Sequence, residues 1–393
     1  MMLKAFKYRL NPNEEQIVLL NKHIGASRFI YNLALETKQI AYASNKHNLS
    51  CFELHSQLKD LKEECPWLKE LNSQSLQQAI TNLDKAYTAF FKGLNSFPKF
   101  KKKSNNGSFN IPQRVIVENG KLIIPKFTKK NGIDIILHRP IKGEIRQATI
   151  SRTPTGKYFV SILCETGDQN KDKSKIKEET TIGIDLGIKD FAITSNGEIF
   201  SNPKYLRKVQ DKLKYLQSKY SKNKGKKTKQ KLAKLHEKIV NKRKDFLHKV
   251  STKLVRENQT ICLENLNVSG MLQNHKLAQS ISDVSWSTFV SMLEYKAEWY
   301  GTNILRIGRF EPSSKTCSVC GNINKELSLK DREWTCTKCN TTHDRDVNAA
   351  INIKNFSLRN ILSGTDRKNH DELPTLVGVM THEAHPIGYA VGG

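Results

Sequence analysis

Three acidic residues, Asp185, Glu264 and Asp346, stand where this sequence can do chemistry. Asp185 sits in the middle of TIGIDLGIKDFAI (181–193), an apolar stretch rich in β-branched residues that reads as a buried strand. An ionised carboxylate inside such a strand is costly unless a cation or hydrogen-bond donors compensate it. Gly183 and Gly187, two residues to either side, keep side chains away from the backbone, so a ligand can come close. These residues allow two readings, a metal-binding Asp and an Asp in a Gly-flanked bend. Glu264 ends a second apolar run, TICLE (260–264), and would stand beside Asp185 if the two strands were sheet neighbours. Asp346 precedes VNAAINIKNF, a short helix, where an Asp also serves as an N-cap. Together, three carboxylates suit phosphodiester hydrolysis by two metal ions. Hard oxygen ligands hold two Mg²⁺ or Mn²⁺ ions and leave positions open for water and phosphate. In that chemistry Asp185 bridges the ions, and Glu264 and Asp346 each complete one shell. Acids so close repel when the site is empty, so the ions also stabilise the charged forms.

The second constellation is sulfur. Of eight cysteines, Cys317, Cys320, Cys336 and Cys339 form two CxxC pairs separated by fifteen residues. Two such knuckles supply four thiolates and close a tetrahedron around one zinc ion, with no open position, so the zinc is expected to be structural. His343, four residues beyond Cys339, is a candidate supporting or substitute ligand, with an ordinary structural role favoured. The remaining cysteines, Cys51, Cys65, Cys164 and Cys262, are scattered singly and are expected as reduced core residues of an intracellular protein.

The elements that must position these groups follow from patterning. Residues 1–10 alternate and predict a strand. From Asn13 to about Lys92 the period is helical, with helices over Glu14–Lys22, after an Asn-Pro-Asn start signal, Ser27–Ala43 and Ser73–Gly93. Phe97-Pro98-Lys99-Phe100-Lys101-Lys102-Lys103 interleaves rings and lysines, as a nucleic-acid contact does and as a solvated linker also can. Short strands with Asn-Gly and Thr-Gly turns follow from about Gln113 to Cys164 and predict a small barrel, which strand 1–10 completes. Residues 167–178 have linker composition. Residues 204–257 predict a helical pair with heptad-like apolar spacing, interrupted at Arg243.

Lys plus Arg is 65 against 38 Asp plus Glu, a formal charge of +27, which calls for a polyanionic partner, above all nucleic acid. Fourteen of these cations, against two acids, lie between 221 and 256, where a phosphate-contacting face is favoured over a solvated one. No apolar run approaches membrane-spanning length, and MMLKAFKYRL lacks a signal-peptide core, so the expected place is the cytoplasm, on the nucleoid, with no membrane partner.

Beyond these features, the sequence resembles the TnpB family of transposon-encoded, RNA-guided DNA endonucleases, related to type V CRISPR effectors. The resemblance is carried by KAFKYRLNPNEEQ, GASRFIYNLAL, FPKFKKK, GIDLGIKDFAI, ENLNVSGM, WSTFVSMLEYKAEWYG, EPSSKTCSVCG, CTKC and HDRDVNAAINI, spanning almost all of the first 356 residues. It implies an α/β multidomain chain. A β-barrel wedge domain (1–10 and 97–170) carries an inserted helical recognition domain (11–96). A RuvC-like, RNase H-type nuclease domain (177–311 and 340–360) carries a zinc-ribbon insertion (312–339), and a flexible tail (361–393) follows. It implies Asp185, Glu264 and Asp346 as the catalytic acids holding two Mg²⁺ or Mn²⁺ ions, and zinc at Cys317, Cys320, Cys336 and Cys339. It also implies a guide RNA from the transposon end and cutting of double-stranded DNA beside a short adjacent motif. Two rivals remain on residues alone: an unguided transposase or structure-selective nuclease, and a non-cleaving nucleic-acid-binding regulator. Oligomeric state is not legible.

Overall fold

The computed structural model describes residues 2–103, 106–127, 131–167, 171–274, 277–328 and 330–362. The chain divides into two compact units at residue 169.

The first unit begins with β1 (Met2–Asn11), whose inward residues Phe6, Tyr8 and Leu10 alternate with exposed ones. Four helices follow: α1 (Glu14–Asn45), α2 (Cys51–Ser56), α3 (Leu58–Glu64) and α4 (Ser73–Phe91). Asn13 caps α1 in a reciprocal box with Gln16, as the start signal requires. The two expected helices over Glu14–Lys22 and Ser27–Ala43 are one helix of 32 residues. Gly25 weakens that join by about 1 kcal/mol relative to Ala, and burial of His23, Ile24, Ala26 and Ser27 around it offsets the loss. Six strands complete the unit: β2 (Gly107–Ile111), β3 (Ile116–Glu118), β4 (Lys121–Ile123), β5 (Ile133–Ile136), β6 (Glu144–Arg152) and β7 (Tyr158–Thr166). The turn between β3 and β4 places Asn119 and Gly120 at φ 51° and 70°, the left-handed pair a tight hairpin needs.

These strands form an antiparallel sheet in the order β2-β6-β7-β1-β5-β4-β3. Among the described residues its edges, β2 and β3, do not pair with each other, so hydrogen bonds alone do not close the expected barrel. The sheet nevertheless curls around one core, in which Phe109 and Ile111 of β2 join Leu122 of β4 and Leu20 and Ile24 of α1. Because β1 lies between β7 and β5, the four helices are inserted between two strands of one sheet, around their own core of Leu35, Leu68, Leu76 and Leu83.

The second unit starts with β8 (Thr181–Leu186), β9 (Asp190–Thr194) and β10 (Ile199–Ser201), joined by hairpins. A basic helical pair, α5 (Gln210–Asn223) and α6 (Lys226–Glu257), crosses over to β11 (Thr260–Leu263), which pairs with β8 in parallel. Then come α7 (Val268–Met271), α8 (Ala278–Val284) and α9 (Trp286–Tyr300), followed by β12 (Asn303–Arg306), parallel to β11. A small hairpin of β13 (Glu333–Thr335) and β14 (Thr342–Asp344) leads into α10 (Arg345–Leu362). The sheet order is β10-β9-β8-β11-β12. Arg243 interrupts the apolar spacing of α6 because it is half of a largely buried ion pair, 2.6 Å from Asp283, which also accepts from the Leu206 amide.

The period of two along the strands divides the sheet's faces. Ile182, Ile184, Ile261 and Leu263 share a core with Leu247 and Leu254 of α6 and Phe289 and Leu293 of α9. Cys262 and Leu305 point the other way, to Ile353 and Phe356 of α10. Asp185, one residue out of phase with Ile184, belongs to the α10 face. Of the single cysteines, Cys164 and Cys262 are buried as expected, whereas Cys51 and Cys65 are only partly so. Helix α10 runs to Leu362, two residues into the expected tail; residues 363–393, the rest of that tail, lie outside the described residues.

Candidate active site and cysteine cluster

Parallel pairing sets two of the three acids side by side. Ile184 of β8 is the register partner of Leu263 of β11, so the next residues, Asp185 and Glu264, emerge together at the carboxyl ends of adjacent strands. That edge is where open parallel sheets bind ligands. The third acid comes with α10. At Gly183 a Cβ would collide with the Ala350 carbonyl oxygen and lie 2.8 Å from the Lys354 amide, so glycine is what lets α10 lie flat on β8. This corrects the expectation that Gly183 and Gly187 clear space for a ligand. Gly187 likewise meets its own chain, since a Cβ there would lie 2.7 Å from the Asp190 carbonyl oxygen of the β8–β9 hairpin.

Asp344, and not Asp346, caps α10. Its Oδ1 accepts from the amides of Asp346 (3.0 Å) and Val347 (2.9 Å). Asp346 is thereby left in the first turn with its carboxylate available for other contacts. Arg345 donates to Oδ1 of Asp346 through Nε (3.1 Å) and Nη2 (3.0 Å), and Arg332 donates to Oδ2 through Nη1 (3.1 Å). Glu264 accepts from the hydroxyl of buried Ser313 at 2.6 Å. Burial first, and then the charges of Glu264 and Asp346, push the Asp185 carboxyl up to about 8 against the opposing charge of Arg345. The three acids therefore act on one another electrostatically, with Arg345 as the opposing cation, and carboxylate oxygens are the donors that hard divalent cations take.

Helix α10 also fixes the loop between the acids and the cysteines. Asn352 donates to the Ser313 carbonyl (2.7 Å) and to that of Thr316 (2.5 Å). Asn348 donates to Thr316 (2.8 Å) and accepts from the Ser318 amide (2.9 Å). The i, i+4 spacing puts both amides on one face of the helix.

The four sulfurs of Cys317, Cys320, Cys336 and Cys339 lie within 4.8 Å of one another. The closest pairs, Cys317–Cys339 at 3.6 Å and Cys320–Cys336 at 3.5 Å, are too far apart for disulfides. They approach the roughly 3.8 Å edge of a tetrahedron with metal–sulfur bonds of about 2.3 Å. Each knuckle turns through a left-handed residue, Gly321 (φ 74°) and Asn340 (φ 56°). Hydrogen bonds from Thr341 draw the Cys339 thiol down to about 6, as a metal ligand requires. The set can hold a metal ion. His343 does not join it; its Nε2 lies 3.1 Å from Cys317 Sγ, and its ring packs on Trp334.

A Streptomyces pristinaespiralis protein named "Putative RNA-guided DNA endonuclease" is 40% identical over 363 residues, 89% of this chain and 88% of its own. The chain belongs to the TnpB family. A second relative with that description, InsQ of Escherichia coli (strain K12), is 31% identical over 375 residues, 89% of this TnpB-family chain and 91% of its own. Family models described as "Probable transposase", "Cas12f1-like, TNB domain" and "Helix-turn-helix domain" match residues 161–275, 286–353 and 1–47. In the last span this family member has β1 and the single helix α1. The Cas12f1 chain of a cryo-EM complex with sgRNA and target DNA has a TM-score of 0.57 at 17% identity, covering 87% of this chain and 83% of that one. The shared fold is mixed α/β.

Sequence reasoning singled out the three acids and four cysteines of this TnpB-family chain but missed Ser313, Arg332, Arg345 and the amides of Asn348 and Asn352. The Asn pair had a legible signal, its helical spacing in VNAAIN. Ser313 and Arg332 lie in loops without period and had none.

Proposed function

We propose that this chain is a transposon-encoded, RNA-guided DNA endonuclease that cuts target double-stranded DNA beside a short adjacent motif by two-metal-ion hydrolysis. One observation carries the reading: adjacent parallel strands deliver Asp185 and Glu264 to the same edge, and Asp346 acts on Asp185 from the first turn of α10. On this reading the second unit is a RuvC-like nuclease domain with a zinc-ribbon insertion. The first unit is a wedge with an inserted recognition domain. Guide RNA from the transposon end and target DNA lie against these basic surfaces.

Two Mg²⁺ or Mn²⁺ ions would supply charge neutralisation at the phosphate and activation of the attacking water. Asp185, whose carboxyl pKa is raised by burial and the neighbouring acids, would hold those ions as the carboxylate. Ser313 holds the Glu264 carboxylate in one orientation. Arg332 and Arg345 hold the Asp346 carboxylate in place, one at each oxygen. The Cys317, Cys320, Cys336 and Cys339 thiolates would saturate one Zn²⁺, and a site with no open position would brace the fold and do no chemistry.

The test is a plasmid library carrying a guide-matched target beside randomised flanking bases, challenged with the chain co-expressed with its own flanking transposon DNA. Depletion of one flanking motif, dependent on the bound RNA, is expected. Cutting that survives removal of the RNA would instead mark an unguided nuclease, and tight binding without cutting a regulator.

A further inference from the structure

The end of α4 and the segment after it carry rings that the fold does not bury. Phe91 is 73% exposed, Phe97 42% and Phe100 50%, with Leu94 beside them. Phe97 is held upright by edge-on contacts from Phe90 (5.2 Å between centroids) and Tyr87 (5.5 Å). The segment is anchored, unlike a solvated linker. Pro98 is buried, and Asn32 of α1 clamps the Lys101 backbone at both ends, accepting from its amide (2.7 Å) and donating to its carbonyl (2.9 Å). Lys101 itself folds back over the Tyr31 ring at 4.1 Å. Beside the rings in sequence are Lys92, Lys99, Lys102 and Lys103, and no acid occurs anywhere from Lys85 to Val117.

We infer that Phe91, Phe97 and Phe100 form a stacking platform for unpaired nucleotides of single-stranded RNA, with these lysines on the phosphates. The inference rests on the guided reading above and assigns unpaired guide nucleotides to this patch. Rigid exposed rings offer faces to any base, and lysines beside them meet the backbone. A second copy of the chain is disfavoured as occupant, because a two-fold contact would press this all-positive patch against itself.

The test uses the full chain and a labelled polyuridylate of about 12 nucleotides, within the usual range for one such platform, beside the matching duplex. The variants are Phe91→Ala with Phe100→Ala, and Phe91→Leu with Phe100→Leu. Each lost base stack weakens binding, so the Ala pair is expected to bind the single strand about 10-fold or more weaker, the Leu pair nearly as weakly, and both to bind the duplex like the parent. Ala variants that bind the single strand unchanged would overturn the inference, as would full rescue by Leu. A parent chain that self-associates through these rings, with RNA binding unaltered in the variants, would also overturn it. Cleavage by the Ala pair should recover at saturating guide. A chain that needs the rings for RNA yet never cuts would refute the nuclease reading and leave the platform standing.

Discussion

Asp185→Asn should make the metal-depleted protein more stable, and increasingly so as pH rises. The carboxyl is held at about 8 in the fold against an ordinary 3.8. A group raised in this way contributes nothing adverse below its unfolded pKa. It destabilises progressively as pH climbs above that value, and fully once pH exceeds the folded pKa. At 1.36 kcal/mol per unit the full shift is on the order of 6 kcal/mol, of which about 2 kcal/mol is present at about pH 5.5. The variant's advantage should therefore grow by about 3 kcal/mol between about pH 5.5 and 8.5, or about 6–12 °C for a unit of this size. Thermal unfolding in buffers stripped of Mg²⁺ by a chelating resin measures it. A soluble strong chelator would also attack the thiolate site. Adding Mg²⁺ should stabilise the parent and close the gap. A gap that is absent, or that shrinks with rising pH, would refute the claim that burial and two neighbouring acids strain Asp185.

Other perturbations test the surrounding architecture. Cys317→Ser with Cys336→Ser should abolish metal content at the cysteine cluster and destabilise the second unit, read by metal analysis and thermal unfolding; unchanged zinc would contradict the tetrahedral set. Gly183→Ala should push α10 off β8, lowering stability by about 2 kcal/mol or more and abolishing cleavage, while Gly167→Ala, with no neighbour to meet, leaves cleavage intact. Asn352→Ala should strand the Ser313 carbonyl and leave that of Thr316 to Asn348 alone, destabilising by about 1–3 kcal/mol and weakening Mg²⁺ dependence through Glu264. Unchanged metal dependence would separate that loop from the acids.

Much of the site was legible because its signals are local. Asp185 and Glu264 each interrupt an apolar run, and two CxxC knuckles define their own geometry. Their meeting was legible only as a condition, since β-strand adjacency across a crossover of more than fifty residues is set by the packing of α6 and α9. The role of Gly183 could not be read, because a glycine beside an acid looks the same whether ligand or helix backbone approaches it. Asp346 reads as a candidate cap in sequence, and only the amide directions of α10 give that role to Asp344. The expected helices Glu14–Lys22 and Ser27–Ala43 left a gap around Gly25, but burial on both sides carries α1 through it. Arg243 read as a flaw in a heptad; its partner Asp283 is forty residues away.

The central claim is that the three acids make one cutting site distinct from the surfaces that bind nucleic acid. Its most direct measurement compares Asp185→Ala, Glu264→Ala and Asp346→Ala with the parent, each loaded with guide RNA, for target binding and cleavage at saturating Mg²⁺. Each variant is expected to bind target within about 3-fold of the parent and to cut at least about 1,000-fold more slowly, as loss of a metal ligand at a two-ion site implies. Cleavage retained by any one of them would remove that acid from the site.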